Sequence, residues 1–193
     1  EAAQVARENG LAIHLDGARI FNAAVDQNLP AADLVDMLDS VTFCLSKGLC
    51  APVGSVLCGT KDFIYEALRI RKQLGGGMRQ AVVLAAAGIV ALDEMVDRLS
   101  EDHQKAKELS KGLAEIPGIA LDKSSPNTNM VYISIDPLHK LNAKLTAEAL
   151  RKKGVLVGIT GPQQFRLVCH YWIRKEHLDR VVKAFRIVLS ENY

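Results

Sequence analysis

The sequence predicts an α/β layer followed by a smaller α+β unit. One observation predicts the first part. Short, apolar, β-prone runs over Leu11–Leu15, Val41–Leu45 and Ser55–Cys58 alternate with helix-prone stretches. That alternation is the pattern of a buried, mostly parallel sheet lined by helices. A second observation sets off the second part: Pro117-Gly118 reads as a hinge, and the pattern shortens after it. The expected domains are therefore 1–117 and 118–193.

Each element has a local reason. Ala2–Asn9 is rich in helix formers, and Gly10 suits a helix end. Leu11–Leu15 reads as a buried strand, Asp16-Gly17 as a loop and Ala18–Val25 as a helix. Pro30–Leu38 reads as a further short helical piece. Thr60 is an N-cap candidate, with Phe63, Ile64, Ala67 and Leu68 at helical spacing behind it. Gly75-Gly76-Gly77 breaks that helix. Met78–Val96 is apolar on nearly every side, which predicts a helix buried on several faces. Ser100-Glu101-Asp102-His103 caps an amphipathic helix running to about Ile116. In the second part, Ile119–Leu121, Asn129–Ile135, Val155–Ile159 and Phe165–His170 read as strands. Lys144–Lys153 is a helix ended by Gly154. The last helix lines up Leu178, Val181, Val182, Phe185, Val188 and Leu189. The expected small domain is a sheet covered by two helices.

Composition narrows the function classes. The 193 residues are 49% apolar, enough for a sizeable core. Lys and Arg are scattered among Asp and Glu with a net charge of +2, which does not favour a nucleic-acid surface. No apolar run approaches the length of a membrane span. The four cysteines, Cys44, Cys50, Cys58 and Cys169, match no zinc or redox spacing. They read as free thiols of a reducing, cytoplasmic compartment, and no metal ligand set is expected. The chain opens in helix-prone sequence with no Met, so it reads as the later part of a longer polypeptide.

The residues that could carry chemistry cluster early. Lys47 follows the apolar run Val41–Leu45 and is followed at once by Gly48. It reads either as a surface lysine past a strand end or as a desolvated amine able to attack a carbonyl. Asp16 falls at the C-terminal edge of the first strand, where open α/β sheets bind ligands. It is either a loop-capping aspartate or the holder of a cation or a protonated ring nitrogen. Arg19 lies on the same side of the turn. A lysine Schiff base with an aspartate on the pyridinium nitrogen is the electron-sink arrangement of pyridoxal phosphate (PLP) enzymes.

The longer motifs carry a resemblance. His14-Leu15-Asp16-Gly17-Ala18-Arg19-Ile20-Phe21-Asn22 is one. The run Ser40–Ser55 around Ser46-Lys47-Gly48 is a second. Leu74-Gly75-Gly76-Gly77-Met78-Arg79-Gln80-Ala81 and Phe165-Arg166-Leu167-Val168-Cys169-His170 complete the set. With these the whole chain resembles the later part of a low-specificity L-threonine aldolase, a fold-type-I PLP enzyme. The resemblance implies part of the large parallel-sheet PLP domain plus the small C-terminal α+β domain. It implies Lys47 as the Schiff-base lysine and Asp16 on the pyridine nitrogen. Arg19 would contact the phenolic-oxygen side of the cofactor and the substrate carboxylate. Arg166 would be the main carboxylate partner, through a two-toothed ion pair. Lys72 and Arg79 would reach the cofactor phosphate of a neighbouring subunit. The reaction implied is cleavage of L-threonine or L-allo-threonine to glycine and acetaldehyde. His14 and His170 read as structural histidines. The family's phosphate loop, its ring-stacking residue and its substrate histidine precede the aspartate strand and are absent from the sequence.

Two other readings remain open. A different fold-type-I lyase or an aminotransferase would use the same lysine and aspartate. A non-catalytic assembly fragment would bind no PLP. A homo-oligomer, dimer or tetramer, with a site shared between subunits is expected, because Met78–Val96 needs apolar cover.

Overall fold

The computed structural model of the chain describes residues 2–190. It divides into two compact units, Glu1–Leu99 and Ser100–Tyr193. Each is built around its own core.

In the first unit, α1 (Ala2–Glu8) leads into β1 (His14–Asp16), α2 (Ile20–Gln27), β2 (Ser40–Cys44) and β3 (Ser55–Gly59). Two further helices follow, α3 (Lys61–Gln73) and α4 (Val82–Glu94). The strand order is β1-β2-β3, with β1 and β2 parallel and β2 and β3 antiparallel. The expectation of a mostly parallel sheet therefore holds for one pair and fails for the other. The Pro52–Gly54 turn returns the chain directly beside β2, and a direct return can only be antiparallel. Side chains alternate along β2. Val41 and Phe43 share one face, and Phe43 packs edge-on against Phe21 of α2, with ring centroids 5.2 Å apart. Leu45, Leu49, Ala51, Ala91 and Leu99 form the buried core beside them. Thr60 caps α3 as expected, its Oγ1 accepting from Phe63 N at 3.3 Å.

Three expectations are corrected here. Residues 30–38 form successive turns, with bonds such as Asp33 N to Pro30 O and Leu38 N to Val35 O, and no α-helix. The strands are only partly buried. Most of the apolar surface of α4 is exposed, Val82 by 77% and Val83 by 69%, and only Gly88 and Ala91 are buried on it. An all-round apolar helix needs partners on every side, and this unit supplies them on one.

The second unit contains α5 (Leu99–Ala114), β4 (Ile119–Leu121), β5 (Met130–Ile135), α6 (Ala143–Lys152), β6 (Gly158–Gly161), β7 (Gln164–Val168) and α7 (Lys175–Ser190). Its sheet runs β4-β5-β7-β6, antiparallel throughout. Val131, Ile133 and Ile135 alternate along β5 and are buried. Leu167 and Phe165 lie opposite Val131 and Ile133 in register on β7. Phe165 meets Phe185 of α7 edge-on at 5.8 Å. α5 adds Ala106, Leu109 and Leu113 to the same core. That packing explains why the compact units divide at Leu99/Ser100, while the sequence places a hinge at Pro117. The helix before the hinge buries its apolar face in the second core, so three helices contribute to that core. The strand expected over Val155–Ile159 begins instead at Gly158. Residues 154–155 complete the C-terminus of α6, with Val155 N bonded to Leu150 O at 3.0 Å.

Candidate functional site

Asp16 is the last residue of β1, and Thr42 of β2 is its partner in the parallel register. Gly17 N donates to Thr42 O at 2.8 Å, tying the two strand ends together. The Asp16 Oδ1 accepts from Ala18 N at 3.2 Å, and the carboxylate is exposed. Arg19 sits at the N-terminus of α2, and its side chain makes no capping bond. Its Nε is buried without a hydrogen-bond partner. A buried guanidinium nitrogen left unpaired is costly, and an anion reaching it removes that cost.

Lys47 lies three residues past the end of β2, in a bend held by Leu45 N to Gly54 O and Cys50 N to Lys47 O, both 3.0 Å. Gly48 is buried behind it, and any Cβ there would stand 2.9 Å from Leu99 Cδ2 and 3.1 Å from Asn22 Oδ1. The glycine lets the lysine-bearing bend close onto α2. Lys47 itself is exposed, which agrees with the first of its two readings, a surface lysine past a strand end. Its apolar sequence neighbours Leu45 and Leu49 turn into the core and leave the lysine pointing outward. Asp16, Arg19 and Lys47 thus come from the C-terminal ends of two adjacent parallel strands and the start of the helix between them. An acid, a guanidinium and an amine on one sheet edge are the groups needed to hold a ring nitrogen, an anionic oxygen and an aldehyde carbon.

The other expected residues are placed elsewhere. Lys72 lies in the last turn of α3 and Arg79 beyond the Gly75–Gly77 break, both exposed. Arg166 is in the second unit, on β7, exposed on the face opposite Phe165 and Leu167 and paired in register with Tyr132 and Gly158. The His170 Nδ1 accepts from Trp172 N at 3.4 Å, a bond that closes the turn after β7.

A family profile described as beta-eliminating lyase matches residues 1–136. The chain belongs to the beta-eliminating lyase family. That match includes Asp16, Arg19, Lys47, Lys72 and Arg79 and stops short of Arg166. Curated relatives extend over the rest of the chain. It is 40% identical to low-specificity L-threonine aldolase 1 of Arabidopsis thaliana, over 95% of this chain and 51% of the relative. It is 41% identical to the low specificity L-threonine aldolase of Escherichia coli (strain K12), over 98% of this chain and 55% of the relative. The chain spans about half the length of the curated relatives it matches. Among solved structures it superposes on a candidate L-allo-threonine aldolase of Listeria monocytogenes with a TM-score of 0.78 at 20% identity, over 97% of this chain and 55% of that one. It also superposes on the tryptophan decarboxylase of Catharanthus roseus, with a TM-score of 0.74 at 16% identity, over 99% of this chain and 47% of that one. The fold is therefore that of the fold-type-I enzymes, as the motifs implied.

Sequence reading of this family member missed two contributors to the sheet edge. Ser40 and Thr42 meet the His14 ring, with Ser40 Oγ 2.8 Å from Nδ1 and Thr42 Oγ1 3.5 Å from Nε2. Asp39 accepts Ile13 N at 2.7 Å and Arg7 Nη1 at 3.1 Å, fixing the entry to β1. The alternation Ser40-Val41-Thr42-Phe43 carried the signal for the first, since it sets two hydroxyls on one face.

Proposed function

We propose that the chain carries the cofactor-binding lysine of a PLP-dependent aldolase that cleaves L-threonine or L-allo-threonine to glycine and acetaldehyde. The observation that supports this is the joint placement of Asp16, Lys47 and the unpartnered Nε of Arg19 on one sheet edge. The donor set fits PLP. Lys47 would hold the aldehyde carbon and Asp16 the ring nitrogen. Arg19 would hold the phenolic-oxygen side, and Lys72 and Arg79 would hold the phosphate of a neighbouring subunit. When bound, PLP supplies the electron sink that accepts the pair from the breaking Cα–Cβ bond.

The remaining work falls to the side chains. Asp16 would keep a proton on the ring nitrogen through a charge-assisted hydrogen bond. Lys47 would hold the cofactor aldehyde through its amine and would compete for it with the substrate amine. Arg166 would grip the substrate carboxylate, Arg19 being the other candidate for it, and that grip would turn the Cα–Cβ bond into the cleavable orientation, an alignment effect. The products account for every atom of threonine, so no second substrate is consumed. The functional protein is a homo-oligomer, dimer or tetramer, in the cytoplasm. Among the described residues no helix is long and apolar enough to cross a membrane.

The test is borohydride reduction of the PLP-loaded protein followed by peptide mapping, with acetaldehyde measured from L-threonine. Reduction that attaches the cofactor at Lys47, with acetaldehyde released, is expected. The name of the matching family favours one second reading, elimination from Cβ with release of a keto acid. Keto acid in place of acetaldehyde would select it. No cofactor attached at Lys47 would overturn both and leave an assembly role.

A further inference from the structure

We infer that His14 is a positioning residue for Asp16, acting through a two-hydroxyl clamp on the neighbouring strand. The inference rests on the role proposed above for Asp16. β1 is only three residues long, and its ladder partners are Ser40, Val41 and Thr42. So short a strand has few backbone bonds to fix the direction of its last side chain. Period-two alternation puts His14 and Asp16 on one face of β1, and Ser40 and Thr42 on the same face of β2. The His14 ring spans both hydroxyls, with Nδ1 2.8 Å from Ser40 Oγ and Nε2 3.5 Å from Thr42 Oγ1. Each hydroxyl can donate or accept, so either neutral tautomer of the ring completes the pair.

Thr42 is the link to Asp16. It is the register partner of Asp16, and its carbonyl accepts Gly17 N at 2.8 Å, immediately after the carboxylate. Its side chain meets the ring that sits two residues before the carboxylate. The clamp therefore grips β2 from both sides of Asp16 and fixes where the Asp16 side chain leaves the sheet. A carboxylate that must meet a ring nitrogen needs placement to a fraction of an ångström, and neighbouring hydrogen bonds are what supply it. A histidine that merely filled space on this face would not need two hydroxyls at alternate positions of the next strand.

The test is a double-mutant cycle on the full protein, using His14→Leu, Asp16→Asn and the pair. The probe is PLP itself, read by its dissociation constant and by the circular dichroism induced in the bound chromophore. We expect His14→Leu to weaken PLP binding about tenfold and to change the induced signal. In the Asp16→Asn background its effect should shrink to less than about twofold, the coupling expected of residues that act through one another. Ser40→Ala removes one oxygen only and keeps the test open if His14→Leu fails to fold; it should weaken binding by about threefold, with the same coupling to Asp16. His14→Asn, which can still place a donor toward Ser40, should restore part of the loss. Equal effects of His14→Leu in both backgrounds would overturn the inference and leave a structural histidine. So would unchanged PLP binding in His14→Leu while Asp16→Asn weakens it. If Asp16→Asn leaves PLP binding unaltered, the assigned role of Asp16 falls and this inference falls with it.

Discussion

Asn129 is 1% exposed and joins the start of β5 to the end of β7 twice over. Its Nδ2 donates to Cys169 O and its carbonyl accepts Cys169 N, both at 2.8 Å. Asn129→Ala leaves a buried carbonyl unpaired and should cost about 1–3 kcal/mol in urea unfolding. Two perturbed groups, Cys169 and Asp39, pull stability in opposite pH directions. Burial, aided by the Asp102 carboxylate, pushes the Cys169 thiol up to about 12. The folded state thus holds its proton longer, and the contribution is intact below about pH 9 and lost as pH rises from there through about 12. Under native conditions Cys169 should resist iodoacetamide while the exposed Cys50 and Cys58 react, as mass mapping would show. The Ile13 N–H, with Arg7 in support, holds the Asp39 carboxyl below its ordinary value. Its contribution is present above about pH 4 and lost as pH falls below that. The urea midpoint of Asp39→Asn should therefore vary less between pH 7 and the acid range than that of the native protein. At this scale the sequence shows Asp16 and Lys47 because each stands at the end of a β-prone run, and it adds Arg19 through its place on the turn after Asp16 and through the family resemblance. It leaves the exposure of Lys47 open between two readings, because burial depends on what the rest of the chain folds against it.

At the scale of elements, α6 shows how much rests on one position after a helix. Gly154 has φ +74°, the left-handed conformation that lets the chain leave the helix while Gly154 N bonds to Arg151 O. The Arg180 guanidinium of α7 donates to Lys153 O at 3.1 Å and occupies the space a Cβ on Gly154 would take. Gly154→Ala therefore carries a backbone cost of about 1 kcal/mol and displaces Arg180 as well. In an Arg180→Ala background only the backbone part should remain, so the two substitutions should be non-additive in thermal unfolding. The helix stop at Gly154 was legible because glycine after a basic turn is a strong local signal. The strand after it was not. Val155 is apolar and β-prone, yet it packs back on the helix, and pairing begins only at Gly158. Likewise β2 and β3 were legible as strands, while their antiparallel pairing depended on the turn between them.

Across the whole molecule the two cores are unequal, and this leads to a prediction about unfolding order. The second unit draws on four strands and three helices, with Leu113, Val131, Ile133, Leu150, Phe165 and Phe185 all fully buried. The first unit has a smaller core cluster, Leu45, Leu49, Ala51, Ala91 and Leu99, with Ile20 and Ala24 of α2 also buried, while α3 buries no residue and most of the apolar surface of α4 stays exposed. At about 25 cal/mol per Å² of apolar surface removed from water, the second unit gains far more from its own packing. With the 193-residue chain in dilute solution, amide exchange should be fast across α3 and α4 and slow across β5, β7 and α7. Urea should then unfold the first unit at a lower concentration than the second, giving two transitions in place of one. As protein concentration rises, association that covers the α4 face should slow exchange on α4 and move the first transition toward the second, leaving the second where it was. Equal protection in both units at every dilution would mean that the exposed helix is already covered within a single chain, and the expectation of a homo-oligomer built on that face would lose its support.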